Sequence, residues 1–108
     1  MLRGPYPISH VSVYVSGNAI GIYALSRDGG RSKHYVGRSD TDLRSRIVSS
    51  GSQGSYTHFW FNYESSPMQA YKDECERYHE VNPPDNVVHP AVPPGTNWRC
   101  PILGCQSS

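Results

Sequence analysis

The sequence predicts a small α+β fold, a three-stranded antiparallel sheet flanked by helices, followed by an irregular proline-rich tail. Three observations predict it. Two runs of strand-forming residues flank Asp28-Gly29-Gly30, a strong hairpin signal. A third such run, Thr57 to Tyr63, precedes the cap-then-proline start Ser65-Ser66-Pro67 of a long helix. Beyond residue 82 lie six of the nine prolines, and apolar periodicity stops.

The elements follow in order. Residues 1–10 read as an irregular lead-in, because Pro5 and Pro7 oppose regular structure. Val11-Ser12-Val13-Tyr14-Val15 alternates apolar and polar positions and reads as a strand, with a turn at Ser16-Gly17-Asn18. Ala19 to Leu25 and Lys33 to Val36 form the two arms of the hairpin. Ser39-Asp40-Thr41-Asp42 offers N-cap residues for a short helix over Leu43 to Val48. The Ser- and Gly-rich stretch 49–55 reads as a loop. The long helix runs from Met68 to about Glu80 and ends at Pro83-Pro84. Trp98, Ile102 and Leu103 give the tail apolar residues with which to pack on the rest of the chain.

The totals bound the function. With 108 residues the chain is one domain, with a core over 11–86 and an extension over 87–108. A chain of this size buries only a modest core and gains from a staple. No apolar stretch is long enough to span a bilayer, and the first residues lack the apolar core of a signal peptide. The expected location is therefore intracellular, either cytoplasmic or nucleoid-associated. Three cysteines without a secretory signal argue for a metal site or buried thiols rather than a disulfide framework. A net charge of +1 does not by itself call for a nucleic-acid partner. Its distribution is uneven: residues 1–50 carry seven Lys and Arg against three Asp, and residues 51–108 carry three against six Asp and Glu. Such a chain can present a local positive face.

Three local patterns carry chemistry. Gly21-Ile22-Tyr23 and Tyr35-Val36-Gly37 lie on opposite arms of the hairpin, where antiparallel pairing brings the tyrosines together. Two tyrosines packing across a sheet are the plain alternative. Arg38 follows directly, and then Leu43-Arg44-Ser45-Arg46. Arginine presents a fixed fork of donors that suits phosphate oxygens. Glu74 sits mid-helix, where a carboxylate can hold a divalent ion beside a phosphate, although a lone helix acid is more often solvated.

Taken in order, Gly21-Ile22-Tyr23, Tyr35-Val36-Gly37, Arg38, the Leu43-x-x-Arg46 helix, His58, Ala70, Glu74 and Asn86 resemble the GIY-YIG nuclease family over roughly residues 19–86. The resemblance implies a metal-dependent endonuclease that hydrolyses DNA phosphodiester bonds. Tyr35 or Tyr23 would help to deprotonate the attacking water; a free phenol has a pKa of about 10, so nearby positive charge would have to lower it. Arg46 would stabilise charge on the phosphate, with Arg38 in support. The stretch from Gly37 to Leu43 is one residue longer than the family spacing, which leaves Arg44 in play, while the Leu-x-x-Arg pattern favours Arg46. Glu74 would be the only protein ligand of a catalytic Mg²⁺ or Mn²⁺. His58 matches a position that some members fill with histidine, and Asn86 would orient or hydrogen-bond near the site.

A second metal site is expected apart from this one. Cys75 and His79 are four apart on one helix face, and Cys100 and Cys105 lie in the tail. Together they make a Cys₃His set suited to structural Zn²⁺, with His89 as a substitute for His79. Three buried thiols and a surface histidine are the plain alternative. The function classes left standing are a nuclease, a nucleic-acid-binding module of the same fold without cleavage, and a zinc-stabilised interaction module. DNA is the expected partner, with RNA left open. No recognition helix or tandem finger is present, so specificity is expected to be low or supplied by a protein partner, and a homodimer is an option because two strands need two cuts.

Overall fold

The computed structural model describes residues 2–86, 89–102 and 105. Its elements are β1 (Arg3–Pro7), a 3-10 turn over Ile8–His10, α1 (Val11–Tyr14), β2 (Gly21–Ser26), β3 (Tyr35–Ser39), α2 (Leu43–Gln53), β4 (His58–Tyr63) and α3 (Pro67–Val81). The class is α+β. The sheet has four strands in the order β1-β4-β2-β3, with every pairing antiparallel.

The sheet has four strands where three are expected, and the added one is the lead-in. The lead-in forms β1 despite its prolines, because β1 is an edge strand and proline is tolerated where no neighbour needs its N–H. Its register shifts between Arg3 and Tyr6. The run Val11 to Val15, expected as a strand, is instead a single helical turn. Val11 and Val15 are buried while Val13 is 74% exposed, the pattern of one helical face rather than of alternation. Helix α2 also runs through part of the expected loop, to Gln53.

Strand β2 is buried along its whole length because both faces of the sheet are covered. On one face Tyr23, Leu25, Phe59 and Phe61 pack against Leu43 and Ile47 of α2 and against Val11 and Val15. On the other, Ala24, Val36 and Trp60 meet Leu2 and Val81, the last residue of α3. The two helices start where their caps dictate. Asp42 accepts a hydrogen bond from the Ser45 N–H, and Ser66 from that of Gln69 with Pro67 in the first turn. Asn82, left-handed at φ 51°, closes α3 one residue before Pro83. The hairpin loop is held by Asp28, whose Oδ1 accepts from the Ser26 hydroxyl and from the N–H groups of Arg31 and Ser32. Among the described residues no helix is long and apolar enough to cross a membrane.

The tail packs as expected. Trp98, Val92 and Ile102 lie against the buried Tyr71, Cys75 and Cys100, with the Trp98 and Tyr71 rings 6.3 Å apart. Leu103, expected to join them, lies outside the described residues.

Candidate active site and metal cluster

The hairpin glycines explain how the two tyrosine motifs meet. Gly37 of β3 pairs directly with Tyr23 of β2. A Cβ on Gly37 would stand 2.6 Å from the Tyr23 ring and hydroxyl, so only glycine leaves room for that ring. Gly21 plays the same part for α2: a Cβ there would come within 2.6 Å of Leu43 Cδ2 and would also collide with the Asn62 carbonyl. Diagonal to Tyr23, and on the same face, stands Tyr35, with ring centroids 6.2 Å apart.

Strand β3 is an edge strand, and a cleft of about 470 Å³ opens along it. Tyr23, Tyr35, Arg38, Arg46, Glu74 and Asn86 all line this cleft. The two tyrosines and Arg46 approach from the α2 side, and Glu74 from α3. The order of motifs in the sequence therefore becomes one surface in space.

Glu74 belongs to the buried face of α3, with Ala70, Tyr71 and Cys75. Its Oε1 accepts from Arg38 Nη1 at 2.6 Å. Burial pushes its carboxyl up to about 7, against the lowering effect of the Arg38 hydrogen bond and charge. Arg38 is held on three sides, since Nε donates to Asp40 Oδ1 at 3.2 Å and Nη2 to the Ala91 carbonyl at 3.0 Å. Arg46 is exposed and makes no ion pair among the described residues; its Nη1 reaches the Arg38 carbonyl at 3.5 Å. Arg44 points elsewhere, donating from Nε to the Val15 carbonyl at 2.7 Å, and does not line the cleft. Of the two arginines, Arg46 alone lines the cleft.

The tyrosines are not equivalent. Tyr23 is 1% exposed and its hydroxyl is 2.7 Å from Ser50 Oγ. Burial holds that phenol well above its ordinary pKa, with the Ser50 hydrogen bond opposing. Tyr35 is half-buried and lines the cleft, with its ring 6.4 Å from that of Tyr56.

Asn86 acts on backbone. Its Oδ1 accepts from the Val36 N–H and its Nδ2 donates to the Val36 carbonyl, both at 2.9 Å. One side-chain amide so satisfies both polar groups of a β3 residue. His58, expected in the site, is absent from the cleft. It opens β4 opposite Ser26 and Pro7, and its Nδ1 lies 2.9 Å from Thr57 Oγ1. Strand β2 lies between β4 and the edge strand β3, and that displacement across the sheet explains the separation.

Sequence reading missed Asp40, Ser50 and the segment 89–91. Asp40 sits two residues after Arg38 and was read only as a helix cap. Ser50 was hidden by the assignment of 49–55 to a loop. His89, Pro90 and Ala91 form one wall of the cleft, which no local pattern announces.

The second expected cluster of donors forms with a changed membership. His79, His89, Cys100 and Cys105 each offer one donor atom, and these atoms lie within 4.8 Å of one another. The four are close enough to hold a metal ion. Cys75 is not among them. It is fully buried beside Tyr71 and Cys100, facing the apolar cluster under the tail, and burial pushes its thiol up to about 12. Both histidines belong to the cluster, where the sequence calls for one.

Comparison of the chain with family models, with curated proteins and with solved structures finds no match. Its function therefore has to be argued from its own geometry.

Proposed function

We propose that the cleft along β3 hydrolyses a nucleic-acid phosphodiester, with DNA as the substrate class, as the resemblance to GIY-YIG nucleases implies. One observation carries the reading. A buried carboxylate on α3, a cleft-facing tyrosine on β3 and an unpaired arginine on α2 converge on a single opening at the sheet edge.

Arg46 binds the phosphate, since its guanidinium is exposed and unclaimed by any described carboxylate. The same cation stabilises charge that builds on the phosphate oxygens. Arg38 positions Glu74 and favours its ionised form. Tyr35 accepts or relays the proton of the attacking water, because the Tyr23 hydroxyl is buried and bound to Ser50. Asn86 holds the β3 backbone that carries Tyr35 and Arg38.

Glu74 would hold the divalent ion, Mg²⁺ or Mn²⁺, that supplies Lewis-acid charge at the phosphate and the leaving oxygen. Its donor set fits: among the described residues its Oε2 takes part in no hydrogen bond, and a single carboxylate with phosphate and water ligands suits these ions. The His and Cys cluster is not part of this chemistry, because four protein ligands leave no open position.

A second reading is a cleft that binds nucleic acid without cutting it. The observation favouring it is the 2.6 Å Arg38–Glu74 pair, which occupies one of the oxygens a metal would use. Cleavage of plasmid, linear and branched DNA with Mg²⁺ or Mn²⁺, comparing the wild type with Glu74→Ala, separates the two. Metal-dependent cutting that is lost in the variant supports the nuclease. Binding without cutting in the wild type selects the second reading.

A further inference from the structure

We propose that His79, His89, Cys100 and Cys105 hold a structural zinc ion, and that this ion fastens the wall of the cleft formed by residues 89–91. The donors come from three separate stretches: the last turn of α3, the start of the tail and its end. Cys105 Sγ stands 3.3 Å from His89 Nε2, close to the edge of a zinc tetrahedron, which bond lengths of about 2.0–2.3 Å set at roughly 3.3–3.8 Å. The upper limit of 4.8 Å within the group asks for a contraction of at most roughly 1.0–1.5 Å.

The tautomer of His89 is already set. Its Nδ1 lies 2.9 Å from the Pro90 carbonyl oxygen, and a carbonyl can only accept. Nδ1 therefore carries the proton, and the Nε2 lone pair points into the cluster. A backbone carbonyl behind a ligating imidazole is the usual outer partner of a zinc histidine. Two sulfurs and two imidazoles select zinc over magnesium or calcium, which want oxygen. Binding releases one proton from each cysteine thiol to solvent. The product, one Zn²⁺ with two thiolates and two neutral imidazoles, carries no net charge and suits a half-buried position.

The tail needs such a fastening. Its described residues form no helix or strand, and turn hydrogen bonds such as Thr96 N–H to Pro93 O and Cys105 N–H to Ile102 O are local. Yet it reaches the cleft: His89, Pro90 and Ala91 line it, and Ala91 O accepts from Arg38 Nη2. An ion joining residue 89 to α3 fixes that wall relative to Glu74 on the same helix.

The test uses the full chain without nucleic acid, so its outcome is independent of any nuclease activity. Metal content after dialysis should be one zinc per chain. Replacement by Co²⁺ should give the intense absorption of a tetrahedral ion with thiolate charge-transfer bands. His89→Ala and Cys105→Ser should each weaken binding by more than about a hundredfold, beyond the usual loss of an outer partner. Neither residue belongs to the fully buried core, so both variants should fold. Cys75→Ala should leave stoichiometry and spectrum unchanged. Failure to retain zinc with no thiolate band overturns the site, and so does a spectrum lost in Cys75→Ala but kept in His89→Ala. Cleavage of the 89–105 segment by a protease should speed up when zinc is chelated from the wild type, and not in His89→Ala; an unchanged rate refutes the link to the cleft.

Discussion

Arg38 Nη1 lies 2.6 Å from Glu74 Oε1, so the carboxylate at the heart of the cleft is shared between a cation of the chain and whatever enters from solvent. Burial raises Glu74 to about 7, which makes protons compete with a divalent ion near neutrality. Mg²⁺ or Mn²⁺ affinity, read by calorimetry, should rise about tenfold per pH unit below 7 and level off above it. Arg38→Gln removes a group that lowers the Glu74 pKa, so the midpoint should move upward. The same carboxyl links folding to pH. Its folded value exceeds the ordinary 4.5, so its contribution to stability is complete below 4.5 and fades as pH rises through about 7. A displacement of that size corresponds to about 3 kcal/mol. Urea titrations of Glu74→Gln should lack this slope.

Tyr35→Phe and Tyr23→Phe should separate chemistry from packing. The first removes a hydroxyl from a residue that lines the cleft and should lower the cleavage rate by about 10²–10³. The second removes the partner of Ser50, and should cost about 1 kcal/mol of stability with less than about a tenfold change in rate. A larger rate loss for Tyr23→Phe would exchange their roles.

Gly37→Ala places a methyl 2.6 Å from the Tyr23 ring and should destabilise the chain by about 1–3 kcal/mol. In a Tyr23→Leu background the same substitution should cost less, since the ring that it strikes is gone. Thermal unfolding of the four proteins in the cycle decides this, and strict additivity would refute the close fit.

Arg46→Ala and Arg44→Ala should fail differently. Loss of Arg46 should weaken nucleic-acid binding and reduce its salt dependence by about one phosphate contact, with little effect on melting. Loss of Arg44 should lower the melting temperature, because its guanidinium holds the Val15 carbonyl. Salt titrations of binding beside melting curves check both.

Asn86→Ala strips the Val36 N–H and carbonyl of their partners and should cost about 1–3 kcal/mol. Hydrogen exchange at the Val36 amide should rise sharply. Asn86→Asp should recover little, because it sets an oxygen against the Val36 carbonyl.

Much of this arrangement was legible in the sequence where local chemistry and final position agree. Asp42, one of four cap candidates in its run, and Ser66 cap their helices, and Gly21 and Gly37 sit where close approach demands them. The misreadings have definite causes. A spacing of four between Val11 and Val15 satisfies a two-residue and a 3.6-residue period alike, and only the exposure of Val13 separates them. Gly51 read as a loop residue, yet it is buried inside α2 because Ile8 packs on it; a Cβ there would stand 3.0 Å from Ile8 Cδ1. The exchange of Cys75 for a second histidine turns on which way an irregular tail folds back, and residue spacing does not specify that.

The two ends of the sheet have a consequence for how the molecule meets its own copies. Exposed strand edges invite pairing with another chain, and proteins blunt them with proline, irregular register or a covering group. Here β1 carries Pro5 and Pro7 and a shifted register, while on β3 the amide of Asn86 already engages the N–H and carbonyl of Val36. Neither margin offers a continuous ladder for strand addition. Any two copies that associate would therefore meet through side chains rather than by extending the sheet.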